Sequence, residues 1–238
     1  MAAKTLTIDG KQVSAPEGAT ILQAAEEANV NIPTLCHLEG VDDLGACRLC
    51  VVEVTGVPKL LPACTTKITE GMEIKTDTER LRKYRRMTLE LLFAERNHVC
   101  AVCVANGQCE LQALAAEIGM DHVRYEYRFP KWGVDTTHLL FGMDHNRCVL
   151  CTRCVRACWY IEGAGTRNVS GRGAKSQIIT DLFQPWGDSE SCTRCGKCVM
   201  ACPTGALFHR GVTVSEMRRD RSKLEFITTA REKKQWIP

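Results

Sequence analysis

The sequence predicts an α+β fold assembled around metal-binding loops, and three observations carry that prediction. The N-terminal stretch reads as strand, turn, strand and amphipathic helix. The 15 cysteines fall into four tight groups instead of scattering. Short turn-bounded segments make up the rest, and no apolar run approaches the roughly 18 residues that cross a bilayer, so no transmembrane segment is expected. A hydrophobic fraction of 45% over 238 residues is ordinary for a globular chain. The N-terminus, "MAAKTLTIDGKQV", lacks the apolar core of a secretion signal. The expected compartment is therefore the cytoplasm, where thiols stay reduced and clustered cysteines hold metal more often than disulfides.

In chain order, "KTLTIDGKQVSA" alternates apolar and polar residues around Asp9-Gly10, a hairpin signal. Thr20 followed three residues later by Gln23 makes a capping box, and Ile21, Leu22, Ala25 and Ala28 then share one helical face. Cys36, Cys47, Cys50 and Cys64 form the first cysteine group. Residues 78 to 97 read as a helix with Leu81, Met87, Leu91 and Leu92 as packing residues. The second group is a triplet, Cys100, Cys103 and Cys109 in "HVCAVCVANGQC", with His98 two residues ahead. The third is "CVLCTRCVRAC", holding Cys148, Cys151, Cys154 and Cys158, and the fourth is "CTRCGKCVMACP", holding Cys192, Cys195, Cys198 and Cys202. Between these two lie "SQIIT", a strand signal, and turn-marking glycines at 163, 165, 171, 173 and 187.

Metal chemistry follows from the spacing. Zinc sites use CxxC pairs a dozen or more residues apart and have no use for CxxCxxC followed by a fourth cysteine. A disulfide framework fits neither the compartment nor the odd count. The last two groups match the bacterial ferredoxin run C-x2-C-x2-C-x3-C, and the second copy ends in the expected proline, Pro203. In two-cluster ferredoxins the fourth cysteine of each run serves the other cluster. The expected ligand sets are thus Cys148, Cys151, Cys154 and Cys202 for one [4Fe-4S] cluster, and Cys158, Cys192, Cys195 and Cys198 for the other. The first run departs by having "CWY" where proline would stand.

The hairpin, helix and cysteine-bearing loop resemble the β-grasp fold of plant-type [2Fe-2S] ferredoxins, with a longer first gap of C-x10-C-x2-C-x13-C. That longer gap is similar to the N-terminal modules of the large iron-sulfur subunit of respiratory complex I and of iron-only hydrogenases. "CAVCVANGQCELQ" resembles the same family's C-x2-C-x5-C-E-L-Q, whose site takes one histidine and three cysteines. Complex I has its histidine four residues before the first cysteine, where Arg96 stands here; the H-x-C arrangement of His98 is similar to the HoxU-type diaphorase iron-sulfur subunits of NAD(P)-linked bidirectional nickel-iron hydrogenases. Two complete runs and "DLFQPWG" make the cyanobacterial form the nearest resemblance.

The resemblance implies four clusters: one [2Fe-2S] on Cys36, Cys47, Cys50 and Cys64, a [4Fe-4S] on His98, Cys100, Cys103 and Cys109, and the two [4Fe-4S] clusters of the runs. The alternative at the second site is a loop histidine, with water or a carboxylate as fourth ligand. Implied domains are 1–77, a plant-type [2Fe-2S] ferredoxin-like domain; 78–138, a helix and histidine-plus-three-cysteine domain; 139–211, a two-cluster ferredoxin-like domain; and 212–238, a partner-docking tail that includes "LEFITTAREKKQWIP". The implied partners are a flavin- and NAD(P)-binding diaphorase subunit and the small and large subunits of a nickel-iron hydrogenase.

The formal charge of +3 counts thiols as neutral, whereas ligation ionises them, giving about −4 for the loaded chain. Nucleic-acid binding is not expected, and the basic runs at 80–86 and 217–223 read as solvated helix faces or docking surfaces. "GAGTRN" and "GRGAKS" complete no nucleotide-binding motif, and no residue set forms a substrate pocket. The expected function is a non-catalytic electron relay, part of an oxidoreductase complex. Alternatives are a subunit of complex I or of an NAD-linked formate dehydrogenase, a free multi-cluster ferredoxin, and a metal-folded adaptor.

Overall fold

The computed structural model describes residues 2–221 and Leu224. The remainder of the expected docking tail, including all of "LEFITTAREKKQWIP" after its first residue, lies outside the described residues. Two compact units divide the chain: residues 1–37 with 43–89, and residues 38–42 with 90–238.

The first unit is a five-stranded mixed sheet with a short helix on it. Strands β1 (Ala3–Ile8) and β2 (Lys11–Pro16) pair antiparallel from Ala3↔Pro16 to Ile8↔Lys11. Asp9 and Gly10 both take positive φ, 48° and 80°, the geometry of a two-residue primed turn matched to the strand twist. Helix α1 (Ile21–Glu27) starts at the capping box: Gln23 N–H donates to Thr20 Oγ1 at 3.2 Å and Thr20 N–H to Gln23 Oε1 at 2.9 Å. Its buried face is Ile21, Leu22, Ala24 and Ala25, while Ala28 closes the helix half-buried. Strands β3 (Val51–Val54), β4 (Val57–Pro62) and β5 (Glu73–Lys75) complete the sheet in the order β2-β1-β5-β3-β4, with β1 and β5 parallel. Leu6, Ile8, Val52, Ile74 and the α1 face make the core, and Cys50 and Cys64 are buried within it.

Helix α2 (Glu79–Glu95) begins where Thr78 Oγ1 accepts from Leu81 N–H at 3.2 Å. Its inward stripe is Leu81, Arg85 and Leu89; of the expected set Leu81 is fully buried, whereas Leu91 is 47% exposed and Met87 and Leu92 are half-buried. Arg85 takes the inward place because its guanidinium donates from Nε to the Leu49 carbonyl at 3.2 Å and from Nη2 to the Val51 carbonyl at 3.0 Å. The basic run at 80–86, which the sequence reads as a solvated helix face or docking surface, has Arg80, Arg82 and Lys83 exposed but Arg85 buried.

Among its described residues the second unit carries the helices α3 (Glu110–Glu117), α4 (Arg153–Arg156) and α5 (Lys197–Ala201), with small sheets between them. Strands β6 (Val134–Asp135), β7 (Phe141–Asp144) and β10 (Leu207–His209) form one sheet in the order β10-β7-β6. Strands β8 (Arg167–Ser170) and β9 (Gln177–Thr180) form an antiparallel ribbon. After α4 the chain makes a π-helical turn over Ala157–Glu162 that ends at Gly163 with φ 80°. Cysteines are part of this core: Cys103, Cys148, Cys154, Cys198 and Cys202 are buried with Phe141, Met143, Ile178 and Trp186. In the run at 217–223, Met217 is fully buried and the Arg221 Nε donates to the Met200 carbonyl at 3.3 Å, so these residues too serve the unit's own packing.

Candidate metal centres

In the first unit Cys36, Cys47, Cys50 and Cys64 come together from the loop after α1, the turn before β3 and the turn after β4. Cys47 N–H donates to Cys36 Sγ at 3.5 Å. Thiol–thiol hydrogen bonds link Cys36 to Cys47 and Cys50 to Cys64; they drive Cys36 and Cys64 above the ordinary thiol range and draw Cys47 and Cys50 down to about 7. Cys36 and Cys50 also repel one another, so the two pairs share one neighbourhood. Two easily ionised thiols among four is a donor set suited to iron, which binds thiolate.

In the second unit Cys100 and Cys103 bracket a 3-10 turn, Cys100–Val102, and Cys109 sits at the N-cap of α3. Burial pushes Cys109 up to about 11, opposed by backbone hydrogen bonds to Gln112 and Leu111 in the first helical turn. Cys103 Sγ lies so close to Gly205 that a Cβ there would come within 2.4 Å of it, so only glycine admits the sulfur at this place. His98 is tied to this group through its backbone, its carbonyl accepting from Cys100 Sγ at 3.6 Å, and its Nε2 is shielded from solvent and without a hydrogen-bond partner. A hydrogen bond to the Leu92 backbone leaves that nitrogen as the free one. Burial, with Arg147 and Arg96 nearby, lowers its pKa to about 4, so the imidazole is neutral. A neutral ring with an unpartnered, buried nitrogen is what a histidine ligand requires.

The two runs adopt one backbone pattern. In the first, Leu150 and Thr152 have φ 52° and 61°; in the second, Arg194 and Gly196 have φ 60° and 73°. Each pair flanks the middle cysteine of its CxxCxxC. Left-handed backbone costs about 1–2 kcal/mol for a residue with a Cβ, and Thr152 is β-branched, so the surroundings must compensate. The return is that backbone N–H groups turn toward sulfur: Leu150 hydrogen-bonds Cys148, and Arg153 hydrogen-bonds Cys151.

Cys148, Cys151, Cys154 and Cys202 line one cavity, and Cys158, Cys192, Cys195 and Cys198 line another. Burial pushes Cys148 up to about 11, and Cys151 and Cys198 up to about 12. Buried thiols of this kind stay protonated until a cation displaces the proton. Among the described residues no three Cys, His, Asp or Glu side chains converge on a single point, as a mononuclear site requires; the eight run cysteines line cavities instead. Buried cations surround them. Arg153, 3% exposed, pairs with Glu110 at 2.8 Å, and at the equivalent place in the second run Lys197 pairs with Glu162. Sequence reading missed these cations, because nothing in the spacing of a charged residue tells that it will be buried.

Family comparisons match residues 2–79 to a 2Fe-2S iron-sulfur cluster binding domain, 85–124 to the NADH-ubiquinone oxidoreductase-G iron-sulfur binding region, and 185–208 to a 4Fe-4S binding domain. The chain thus has 2Fe-2S and 4Fe-4S binding domains. It is 38% identical over 218 residues to the NADP-reducing hydrogenase subunit HndD of Solidesulfovibrio fructosivorans, covering 87% of this chain but only 36% of that relative's length. A solved NAD+-reducing [NiFe]-hydrogenase, in the H2-reduced state, contains a chain that superposes with a TM-score of 0.83 at 36% identity, over 89% of both chains. The NAD-reducing hydrogenase HoxS subunit gamma of Cupriavidus necator is 35% identical over 210 residues. Because that match runs along 87% of each chain, this protein belongs to the family of the HoxS gamma subunit of NAD-reducing hydrogenase.

Proposed function

We propose that this chain is an electron-relay subunit with one [2Fe-2S] and three [4Fe-4S] clusters, joining a flavin- and NAD(P)(H)-binding diaphorase subunit to a nickel-iron hydrogenase module. The observation that carries the reading is the sorting of the eight run cysteines into two cavities of four, each taking three from one run and one from the other. The likeness along 89% of a chain from a NAD+-reducing [NiFe]-hydrogenase supports partners of that kind.

In this reading Cys36, Cys47, Cys50 and Cys64 hold the [2Fe-2S] cluster on a β-grasp domain, supported by the five-stranded sheet with α1 against it. His98, Cys100, Cys103 and Cys109 hold one [4Fe-4S] cluster. The crossed sets of the runs hold the other two. The domains divide at 77, 138 and 211, and the complex works in the cytoplasm; no described helix is long and apolar enough to cross a membrane. Iron-sulfur clusters supply one-electron transfer when bound, so hydride chemistry belongs to a flavin on a partner. The protein's part is to hold thiolates, point N–H groups at sulfur and exclude water.

Anaerobic iron and sulfide analysis tests the reading. About 14 iron atoms per chain are expected from one two-iron and three four-iron centres. Zinc, or iron near half that value in folded material, overturns it.

A further inference from the structure

The two run cavities are alike in backbone and unlike in the groups that line them. The cavity of Cys148, Cys151, Cys154 and Cys202 is otherwise lined by groups such as Met143, Val149, Ile178 and Leu207; cations act on its thiols only from outside that lining, Arg153 on Cys151 and, with Arg96, Arg167 on Cys148. The cavity of Cys158, Cys192, Cys195 and Cys198 is lined by Arg167 and Trp186. Arg167 is 2% exposed, and its guanidinium lies over the Trp186 ring, 3.6 Å from the centroid. Its Nη1 donates to Thr180 Oγ1 at 3.1 Å, while Nε and Nη2 have no partner. Trp186, 1% exposed, donates Nε1–H to Cys192 Sγ at 3.3 Å. Phe141 stacks against the same indole at 5.5 Å and His138 lies 4.9 Å away, so the ring cannot swing from the sulfur.

A buried guanidinium with two idle donors beside four thiols is costly unless negative charge sits in the cavity. A [4Fe-4S] centre with four thiolates becomes more negative on reduction, and a fixed cation in a low-dielectric site favours the more negative state. An N–H bond to ligand sulfur acts in the same direction. Arginine keeps its charge at every working pH. Asp135, which accepts from Trp186 N–H at 2.8 Å, offsets part of the field but makes no ion pair with Arg167 among the described contacts.

We propose that Arg167 and Trp186 form a potential-setting pair that makes the cluster held by Cys158, Cys192, Cys195 and Cys198 easier to reduce than its partner cluster, so that electrons collect on the Trp186 side. This rests on the four-cluster reading. Both residues act through the ligand sulfurs and the local field, and neither is catalytic.

The test is an electron paramagnetic resonance redox titration of the chain in its purified complex. Cys195→Ser identifies which signal belongs to the Trp186-side cluster, since it alters that signal and no other. Arg167→Gln is expected to lower that cluster's midpoint by about 59 mV or more, the one-electron equivalent of a tenfold change, with a smaller shift in the other cluster. Arg167→Lys restores most of the loss, and Trp186→Phe, which keeps the ring and removes the N–H, lowers the same midpoint alone. An unchanged midpoint, an equal fall in both clusters, or a lysine variant that behaves as glutamine does overturns the pair. Should Arg167→Gln lose the cluster, Trp186→Phe decides: no downward shift there overturns the proposal. A wild-type complex with the full iron content but the lower midpoint on the Cys195 signal overturns the pair and spares the relay reading; missing iron overturns both.

Discussion

Cys158 lines the same cavity as Cys192, far along the chain, and not the cavity of Cys154, one helical turn before it. The π-helical turn over Ala157–Glu162 carries it there, and Cys202, after α5, lines the first run's cavity in return. Cys158→Ala is therefore expected to damage the cluster of Cys192, Cys195 and Cys198, and Cys202→Ala that of Cys148, Cys151 and Cys154. Comparing the spectra of the single-cysteine variants checks this. A Cys158→Ala spectrum that matches Cys148→Ala, not Cys192→Ala, contradicts the crossed assignment.

His98 offers a second prediction through its unpartnered Nε2. His98→Ala is expected to lose or open one [4Fe-4S] centre. His98→Cys is expected to retain it with a lower midpoint, because a thiolate adds the negative charge that a neutral imidazole lacks. Four unchanged signals in His98→Ala would show that another group completes the site.

How much of this was legible in the sequence depends on the range of the interaction. The Asp9-Gly10 turn and the Thr20–Gln23 box are closed within a few residues, so their chemistry is written locally. The grouping of cysteines is also local, since metal-binding loops need close spacing. Arg85, Arg153 and Arg167 were not legible: each is buried by acceptors or aromatic rings distant in sequence, and a charged residue on a helix or strand reads as solvated. Leu91 was misread for the same reason, because Arg85 claimed the inward face. Trp186 stood out only as part of "DLFQPWG", and its bond to Cys192 follows from the fold of the second run.

Arg85→Ala gives a third prediction, on stability. The substitution strands the Leu49 and Val51 carbonyls on either side of Cys50. Each buried acceptor left unpaired costs about 1–3 kcal/mol, so for two of them a loss of about 2–6 kcal/mol is expected in chemical denaturation, with a broadened [2Fe-2S] spectrum. A change under about 1 kcal/mol would mean that water replaces the guanidinium without cost.

Removing iron is expected to unfold most of the chain after residue 97, a fourth prediction. That core is built from Cys103, Cys148, Cys154, Cys198 and Cys202 as much as from Phe141 or Met143, and its buried cations lose their counter-charge when the clusters go. Amide hydrogen exchange reads this directly. Native-like protection of β7 and α5 in iron-free protein would contradict it.

The central claim, relay between two partners, is tested most directly by rapid freeze-quench spectroscopy of the purified complex mixed with NAD(P)H. The account predicts that reduced-cluster signals of this chain rise before hydrogen appears. It also predicts that Cys151→Ala abolishes NAD(P)H-driven hydrogen production while each partner keeps its own reaction with artificial dyes, and that the isolated chain accepts electrons from dithionite but neither oxidises NAD(P)H nor evolves hydrogen. Hydrogen production that continues at the wild-type rate in a complex whose chain has lost that cluster would contradict the account.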